Sequence, residues 1–126
     1  MKIFGHPWIE CEKFSKVYTT EDINAIESNT IALLEPLVES IELAQYCHKN
    51  SIPYVIPVGS IKEAIFANEL SATYMICKEE KGFILQPIAT QYLFDSEILV
   101  LISDEKDIAK LALQGMDGVV FADVIK

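Results

Sequence analysis

The sequence predicts a single α/β domain with a mainly parallel sheet of five or six strands, flanked by helices in the three-layer arrangement of Rossmann-like and flavodoxin-like proteins. Five short apolar runs are each followed by a helical pattern or by the last residues of the chain, and successive runs begin about twenty residues apart. The 126 residues fit one domain, which we expect to span residues 1–126. The runs are Ile31–Leu34, Tyr54–Val58, Tyr74–Cys77, Ile98–Ile102 and Val119–Val124.

Residues 1–20 are the least regular part of the chain. Lys2–Phe4 and Phe14–Tyr18 carry enough bulky residues for short strands, and Gly5 would end the first of them. Glu21–Ile26 then predicts a brief helix, because its first-turn acids favour the positive end of a helix dipole. We therefore expect an irregular amino-terminal segment before the regular alternation begins.

The segments between the apolar runs carry helical patterns. A helix after the first run continues to about His48, with apolar residues along one stripe. The second run contains Pro57, which predicts a strand end or a bulge. Ser60 and Glu63 have the spacing of a capping box and predict the start of the next helix.

The last two helices have less regular patterns. One spans about residues 80–94, unless Pro87 marks its true start, because proline is tolerated in a first turn. The other begins with a cap from Ser103 or Asp104 and ends at Gly115.

The composition is unusually apolar. Hydrophobic residues make up 51% of the chain, and the five glycines raise this to about 55%, against roughly 45–50% on the same count in soluble domains. A chain with such an excess often covers part of it with a partner, so we expect a homo-oligomer, most simply a two-fold dimer. The alternative is that parallel strands covered on both faces require continuous apolar runs in any case.

The charge balance argues against nucleic acid as a partner. The net charge is −9, and all ten cations are lysine, so the chain has no arginine. Such a protein repels a phosphate backbone and lacks the planar group that reads guanine. It also lacks the usual bidentate clamp for carboxylate or phosphate ligands, although codon bias alone would explain the missing arginine.

The cysteines and the hydropathy pattern bear on the compartment. Cys11, Cys47 and Cys77 form no short pair, which indicates free thiols and a reducing environment. No segment has the pattern of a signal peptide or the length of an apolar membrane span. We therefore expect a cytoplasmic protein without a membrane-bound part.

Candidate ligand-binding residues follow the carboxyl ends of the predicted strands, where parallel α/β proteins hold their ligands. The backbone at Gly59 and Ser60, with Lys78 nearby, would hold an anionic group, and Glu35 or Asp123 would act as acid or base. The full set is Glu35, Gly59, Ser60, Lys78, Ser103, Asp104 and Asp123.

Two partial resemblances to known families support the parallel topology. The fifteen-residue segment LALQGMDGVVFADVI resembles the last helix and strand of phosphate-binding βα barrels, with Gly115 as the helix cap. The length and rhythm are similar to those of response-regulator receiver domains, but the paired acids and the phospho-accepting aspartate of that family are missing. There is no P-loop and no GxGxxG pattern, so the sequence identifies no cofactor.

The amino-terminal segment holds two further candidates. His6, Glu10 and Cys11 are close in sequence, but their spacing matches no zinc signature, so we expect no metal site and expect His6 to pack at a turn. The single tryptophan, Trp8, is either a packing residue or part of an interface, because aromatic residues are enriched at binding surfaces.

Two functional hypotheses remain open. The favoured one is a non-catalytic module that acts through self-association or a protein partner, since no complete catalytic set is evident. The alternative is a protein or enzyme that binds a small anionic ligand at the carboxyl ends of the strands. The sequence does not decide whether the chain is an enzyme.

Overall fold

A parallel sheet with helices between its strands organises residues 1–125, which are the residues that this computed structural model describes. The strands are β1 (Lys2–Phe4), β2 (Lys13–Lys16), β3 (Thr30–Leu33), β4 (Tyr54–Pro57), β5 (Tyr74–Cys77), β6 (Glu97–Ile102) and β7 (Gly118–Phe121). The helices are α1 (Thr20–Asn24), α2 (Leu37–Lys49), α3 (Ile61–Glu69), α4 (Glu79–Gln91) and α5 (Asp107–Leu113).

The predicted α/β class and the parallel sheet are confirmed, but the predicted count of five or six strands is too low. Residues 1–125 form seven strands, and the two short strands of the irregular amino-terminal segment are both part of the sheet. Their three and four residues form no long apolar run, so the pattern there is weak. β4 ends at Pro57, as predicted.

The strand order is β1-β7-β6-β5-β4-β3-β2, and every neighbouring pair is parallel. From β2 to β7 the order follows the chain without a reversal. Because parallel crossovers are right-handed, an order without a reversal places all the connecting helices on the same face of the sheet. The predicted three-layer arrangement is therefore wrong, since it needs a reversal that sends helices to both faces.

Two buried clusters correspond to the two faces of the sheet. On the outer face, strand residues such as Ala32, Met75 and Val100 pack with helix residues. The inner cluster draws on alternate strand positions and the segments next to them, and none of the described residues of α1–α5 belongs to it. Its buried members are Phe4, Phe14, Ile31, Leu33, Val55, Tyr74, Ile76, Leu99, Val120 and Val124.

The sheet curls so that its two edge strands meet around the inner cluster. The ring centroids of Phe4 in β1 and Phe14 in β2 are 5.2 Å apart, and Tyr74 lies 5.1 Å from Phe4. A short 3-10 turn, Ala122–Val124, follows β7 and brings Ile125 into a parallel bridge with Phe14. The predicted last strand therefore stops before Val124, because the chain turns there to join the two edges.

α4 begins at Glu79, close to the predicted start at about residue 80, whereas α5 begins later than predicted. α4 runs through Pro87, which is exposed on the helix surface, where water can reach the carbonyl left without a helical partner. Gly82 is buried in the same helix, and a Cβ there would lie 2.8 Å from Val100 Cγ2, so glycine allows α4 to approach β6 closely. α5 begins only at Asp107, because Asp104 Oδ1 accepts a hydrogen bond from the Lys106 N–H in a preceding turn.

The connection between β1 and β2 lacks the helix that every other crossover contains. Residues 5–12, all of them within the described part of the chain, contain no helix, whereas each later pair of successive strands is joined through one of α1–α5. The outer side of β1 is therefore covered only by this short link. Among residues 1–125, no helix is both long enough and apolar enough to cross a membrane.

Candidate functional site

The curled sheet distributes the predicted ligand-binding residues around its rim. Ser103, Asp104 and Asp123, which follow β6 and β7, line one cleft of about 670 Å³. The same cleft is lined by residues of the β1–β2 link, including Gly5, His6 and Trp8. The described lining residues do not include Glu35, Gly59, Ser60 or Lys78. These four residues follow β3, β4 and β5, which lie farther around the sheet.

Gly5 allows the link to leave β1 beside the end of β7. Its φ angle is +92°, a conformation that side chains with a Cβ rarely adopt. A Cβ at this position would also lie 3.0 Å from the Phe121 Cβ and 3.2 Å from the Phe121 carbonyl oxygen. The Gly5 N–H donates to Cys11 Sγ at 3.4 Å, which connects the start of the link to its return toward β2.

His6 holds the link in place through both of its ring nitrogens. Nδ1 accepts a hydrogen bond from the Trp8 N–H at 3.1 Å, and Nε2 lies 2.7 Å from Glu105 Oε2. The Trp8 amide therefore assigns the hydrogen of neutral His6 to Nε2, which donates to Glu105. The ring also packs against Trp8 and Phe121, at centroid distances of 5.3 and 5.9 Å. This arrangement matches the predicted packing of His6 at a turn and leaves neither nitrogen free to act as a base.

The charge of the rim cleft is unfavourable for an anion. Asp104, Glu105 and Asp123 all line it, and its described lining residues include no lysine. Carboxylates repel an anionic ligand, and the strength of that repulsion rises as water is excluded. The geometry of this cleft therefore gives no support to binding of an anionic ligand there.

The Gly59–Ser60 corner is occupied by a side chain of the protein itself. Ser60 caps α3, as the sequence predicts, and its Oγ accepts a hydrogen bond from the Glu63 N–H at 3.2 Å. The Glu63 carboxylate in turn accepts from the Gly59 N–H at 3.3 Å and from Ser60 Oγ at 3.4 Å. Because an internal carboxylate already uses the Gly59 amide, the corner favours helix capping over ligand binding.

Lys78 and Glu35 are each involved in the start of a helix. Lys78 is exposed at the N-cap of α4 and makes no side-chain capping hydrogen bond. Glu35 lies just before α2, and its carbonyl oxygen accepts a hydrogen bond at 2.7 Å from the Oγ of Ser40, which lies within that helix. Neither residue is brought into the cleft that Ser103, Asp104 and Asp123 share.

The outer side of β1 carries an apolar surface, of which the sequence indicated only Trp8. A cleft of about 530 Å³ is lined mainly by apolar side chains at the position where the β1–β2 link lacks a helix. Trp8 stands at its edge with 90% of its surface exposed. The apolar lining residues are Ile3, Trp8, Ile9, Ile108 and Ala109.

This apolar cleft is continuous with two acidic regions. Toward the carboxyl ends of the strands it shares His6, Trp8 and Glu105 with the rim cleft. Toward their amino ends it shares Ile3 and Ile9 with a third cleft, which Glu10 and Glu12 also line. We call the whole surface, from Glu10 and Glu12 past Trp8 to Asp104 and Asp123, the β1 groove.

Lys2 lies at the amino end of the β1 groove, but its charge is compensated within the protein. Its Nζ lies 2.8 Å from Glu97 Oε1 and donates to the Tyr74 hydroxyl at 3.1 Å. The Glu97 carboxylate, followed by the Tyr74 hydroxyl, holds the pKa of Lys2 above its ordinary value. The remaining acids at this end, Glu10 and Glu12, are exposed.

The described residues offer no group of metal ligands, and the chain matches no known family. Within residues 1–125, no three His, Cys, Asp or Glu residues are grouped so that they could hold a metal ion. No protein-family model matches the chain, and no curated protein sequence matches it significantly.

The signal that could have revealed the β1 groove is the length of one connection. The link between β1 and β2 spans only residues 5–12, whereas a crossover between parallel strands usually needs a dozen or more residues, most often including a helix. The short length of this link is informative only if both β1 and β2 are strands, and their three and four residues form no clear strand pattern in the sequence.

Proposed function

We propose that this chain is a non-catalytic α/β module that acts by association, with a second copy or with another protein, through the β1 groove. One observation carries the proposal. Trp8 is 90% exposed beside an apolar cleft, at the crossover that lacks a helix. Exposed aromatic residues next to apolar clefts are typical of binding surfaces, because their burial supplies much of the binding free energy.

The chemistry of the rim supports association over catalysis. Both ring nitrogens of His6 have partners, and the amide of Gly59 is bonded to Glu63. The apolar excess of the composition is consistent with the same proposal, because a partner would cover part of it. If the occupant is a second copy, the association expected from the sequence is a two-fold dimer.

The proposal includes a cytoplasmic location. Cys11, Cys47 and Cys77 are all free, and two of them are buried. Free thiols persist in reducing compartments, where structural disulfides are rare.

Light scattering and Trp8 fluorescence together test the proposed function. The chain has one tryptophan, so its emission reports the β1 groove alone. We expect the emission to shift to shorter wavelengths, either as the mass rises with protein concentration or on addition of a neutral, stapled amphipathic helical peptide. Leu113→Ser is the matched control for Trp8→Ser, because Leu113 is 88% exposed and does not line the groove.

If the chain self-associates, Trp8→Ser should abolish the increase of mass with protein concentration. If it binds the peptide, Trp8→Ser should reduce the affinity, which is measured by the fluorescence anisotropy of a labelled peptide. Leu113→Ser should change neither quantity. A chain that stays monomeric at all concentrations and gives no Trp8 response to the peptide overturns the proposal.

A further inference from the structure

We infer that the partner of the β1 groove is an amphipathic helix of another protein that carries basic residues at both ends of its apolar face. This inference rests on the proposed function and specifies the occupant of the same surface. It follows from the shape of the groove, from its apolar centre and from the charge at its two ends.

The position of the groove favours a helix. Every other crossover from β2 to β7 places a helix against the outer face of the curled sheet. The outward-facing Ile3 of β1 is half-buried and packs at the edge of the same outer cluster. A helix laid over β1 would bury Ile3 and Ile108 as the neighbouring helices bury their own strands, and a helix of about twelve residues would span roughly 18 Å.

The apolar centre of the groove selects an apolar face on the partner. Trp8 and Ile9 form one side, and Ile108 and Ala109 of α5 form the other. Trp8 lines the gap between these two walls with 90% of its surface exposed, so a partner side chain placed there would bury its indole. Such an arrangement accepts residues at i, i+3 and i+4 of a helix.

The two ends of the groove select basic residues. Glu10 and Glu12 lie at the amino ends of the strands, and Asp104 and Asp123 lie at the carboxyl ends; all four are exposed. The cations among the described lining residues are Lys2, Lys106 and the amino terminus of Met1, and Lys2 is already paired with Glu97. They are outnumbered by the acids of the groove, which are Glu10, Glu12, Asp104, Glu105 and Asp123. A helix with lysine or arginine at both ends therefore complements the charge, which speeds encounter and favours the correct partner.

The same charges argue against a second copy as the occupant. In a two-fold pairing of grooves, each acidic end of one chain would face an acidic end of the other. Each chain also carries a net charge of −9, which opposes self-association at low salt. Each of the chain's own helices carries an acid in its first turn, which would place a carboxylate at one of the acidic ends of the groove.

Three stapled helical peptides with the same apolar face test the inference on the full chain. One has lysine at both ends, one has glutamate at both ends, and one has glutamine. Binding is followed by Trp8 emission. We expect the lysine-ended peptide to bind about ten-fold tighter than the glutamate-ended peptide at low salt, with the difference decreasing as salt is added.

Charge-neutralising variants assign the effect to the ends of the groove. Glu10→Gln with Glu12→Gln, and separately Asp123→Asn, should each weaken binding of the lysine-ended peptide by about two- to five-fold. Glu69→Gln removes an exposed acid on α3, outside the groove, and should leave the affinity unchanged. The substitutions lie at exposed positions, and circular dichroism confirms that each variant folds.

The outcomes separate the inference from the proposed function. Equal affinities for all three peptides, or tighter binding of the glutamate-ended one, overturn the inference and leave the association surface intact. Self-association that buries Trp8 also overturns the inference, since a second copy is then the occupant. The absence of both peptide binding and self-association overturns the inference and the proposed function together.

Discussion

The rings of Phe4 and Phe14 pack against each other with their centroids 5.2 Å apart, although the two residues belong to the strands at opposite ends of the sheet order. This contact and the bridge between Phe14 and Ile125 join the edges of the curled sheet. The inner face is therefore a filled core, as in βα barrels, where layers of side chains occupy the interior.

Phe14→Ala should destabilise the protein strongly because Phe14 is fully buried where the two edges meet. We expect a loss of about 3–5 kcal/mol in the free energy of unfolding, measured by urea denaturation. Phe66→Ala is the matched control, since Phe66 is 51% exposed on α3 and should cost about 1 kcal/mol. Equal losses in the two variants would contradict the closure of the sheet through Phe14.

Gly118→Ala should also destabilise the protein, because β1 and β6 approach this glycine from both sides. A Cβ at position 118 would lie 2.8 Å from the Lys2 carbonyl oxygen and 2.7 Å from Leu99 Cδ2. Relief of these contacts requires β1 to move, and we expect a loss of about 1–3 kcal/mol in thermal or urea unfolding.

Gly59→Ala provides the control for Gly118→Ala. Nothing lies within 4 Å of a Cβ built at Gly59, and its φ angle is outside the left-handed region. Its stability should stay within about 0.5 kcal/mol of the wild type. A neutral Gly118→Ala variant would show that the pairing of β1 with β7 is looser than the structure indicates.

The three cysteines should differ in their reactivity toward a thiol reagent. Cys47 and Cys77 are buried, and burial raises the pKa of their thiols to about 11 and about 12. Cys11 is half-buried in the link of the β1 groove. In a titration of the folded protein at pH 8, we expect one thiol per chain to react quickly, and Cys11→Ala to remove that phase. Rapid reaction of two or three thiols would contradict the burial of Cys47 and Cys77.

The same raised pKa values predict that the protein loses stability at alkaline pH. Between the ordinary thiol pKa of 9.0 and the folded values, the unfolded chain ionises Cys47 and Cys77 while the folded chain keeps them protonated. The free energy of unfolding should therefore fall as pH rises from 9 to 11, and Cys47→Ala should make the fall less steep. Urea denaturation at each pH measures the free energy of unfolding. If this free energy falls equally steeply with pH in the wild type and in Cys47→Ala, the prediction is contradicted.

Part of this fold could be predicted from the sequence because it depends on local patterns. The apolar runs identified β3 to β7, and Ser60 with Glu63 identified the start of α3. The curl of the sheet was not predicted, because the order of strands is set by contacts between distant residues such as Phe4 and Phe14. The same alternation of strands and helices is compatible with a flat, three-layer sheet.

The candidate site was predicted in part, for a related reason. The rule that ligands lie at the carboxyl ends of strands grouped Ser103, Asp104 and Asp123, which do line one cleft, and their role in ligand binding stays a prediction. It also grouped Glu35 and Lys78 with them, because the rule assumes that strand ends form a single straight edge. In a curled sheet that edge is bent around the molecule, so residues after β3 and β5 are separated from those after β7.

Acrylamide quenching of Trp8 fluorescence tests the central claim, that the outer side of β1 is uncovered and takes a partner. In the dilute, isolated chain, we predict quenching close to that of a tryptophan in a short unstructured peptide, because Trp8 is 90% exposed. An excess of the lysine-ended helical peptide should reduce that quenching. A tryptophan that is already shielded in the isolated monomer, or that stays equally accessible when the peptide is added, would contradict this account of the β1 groove.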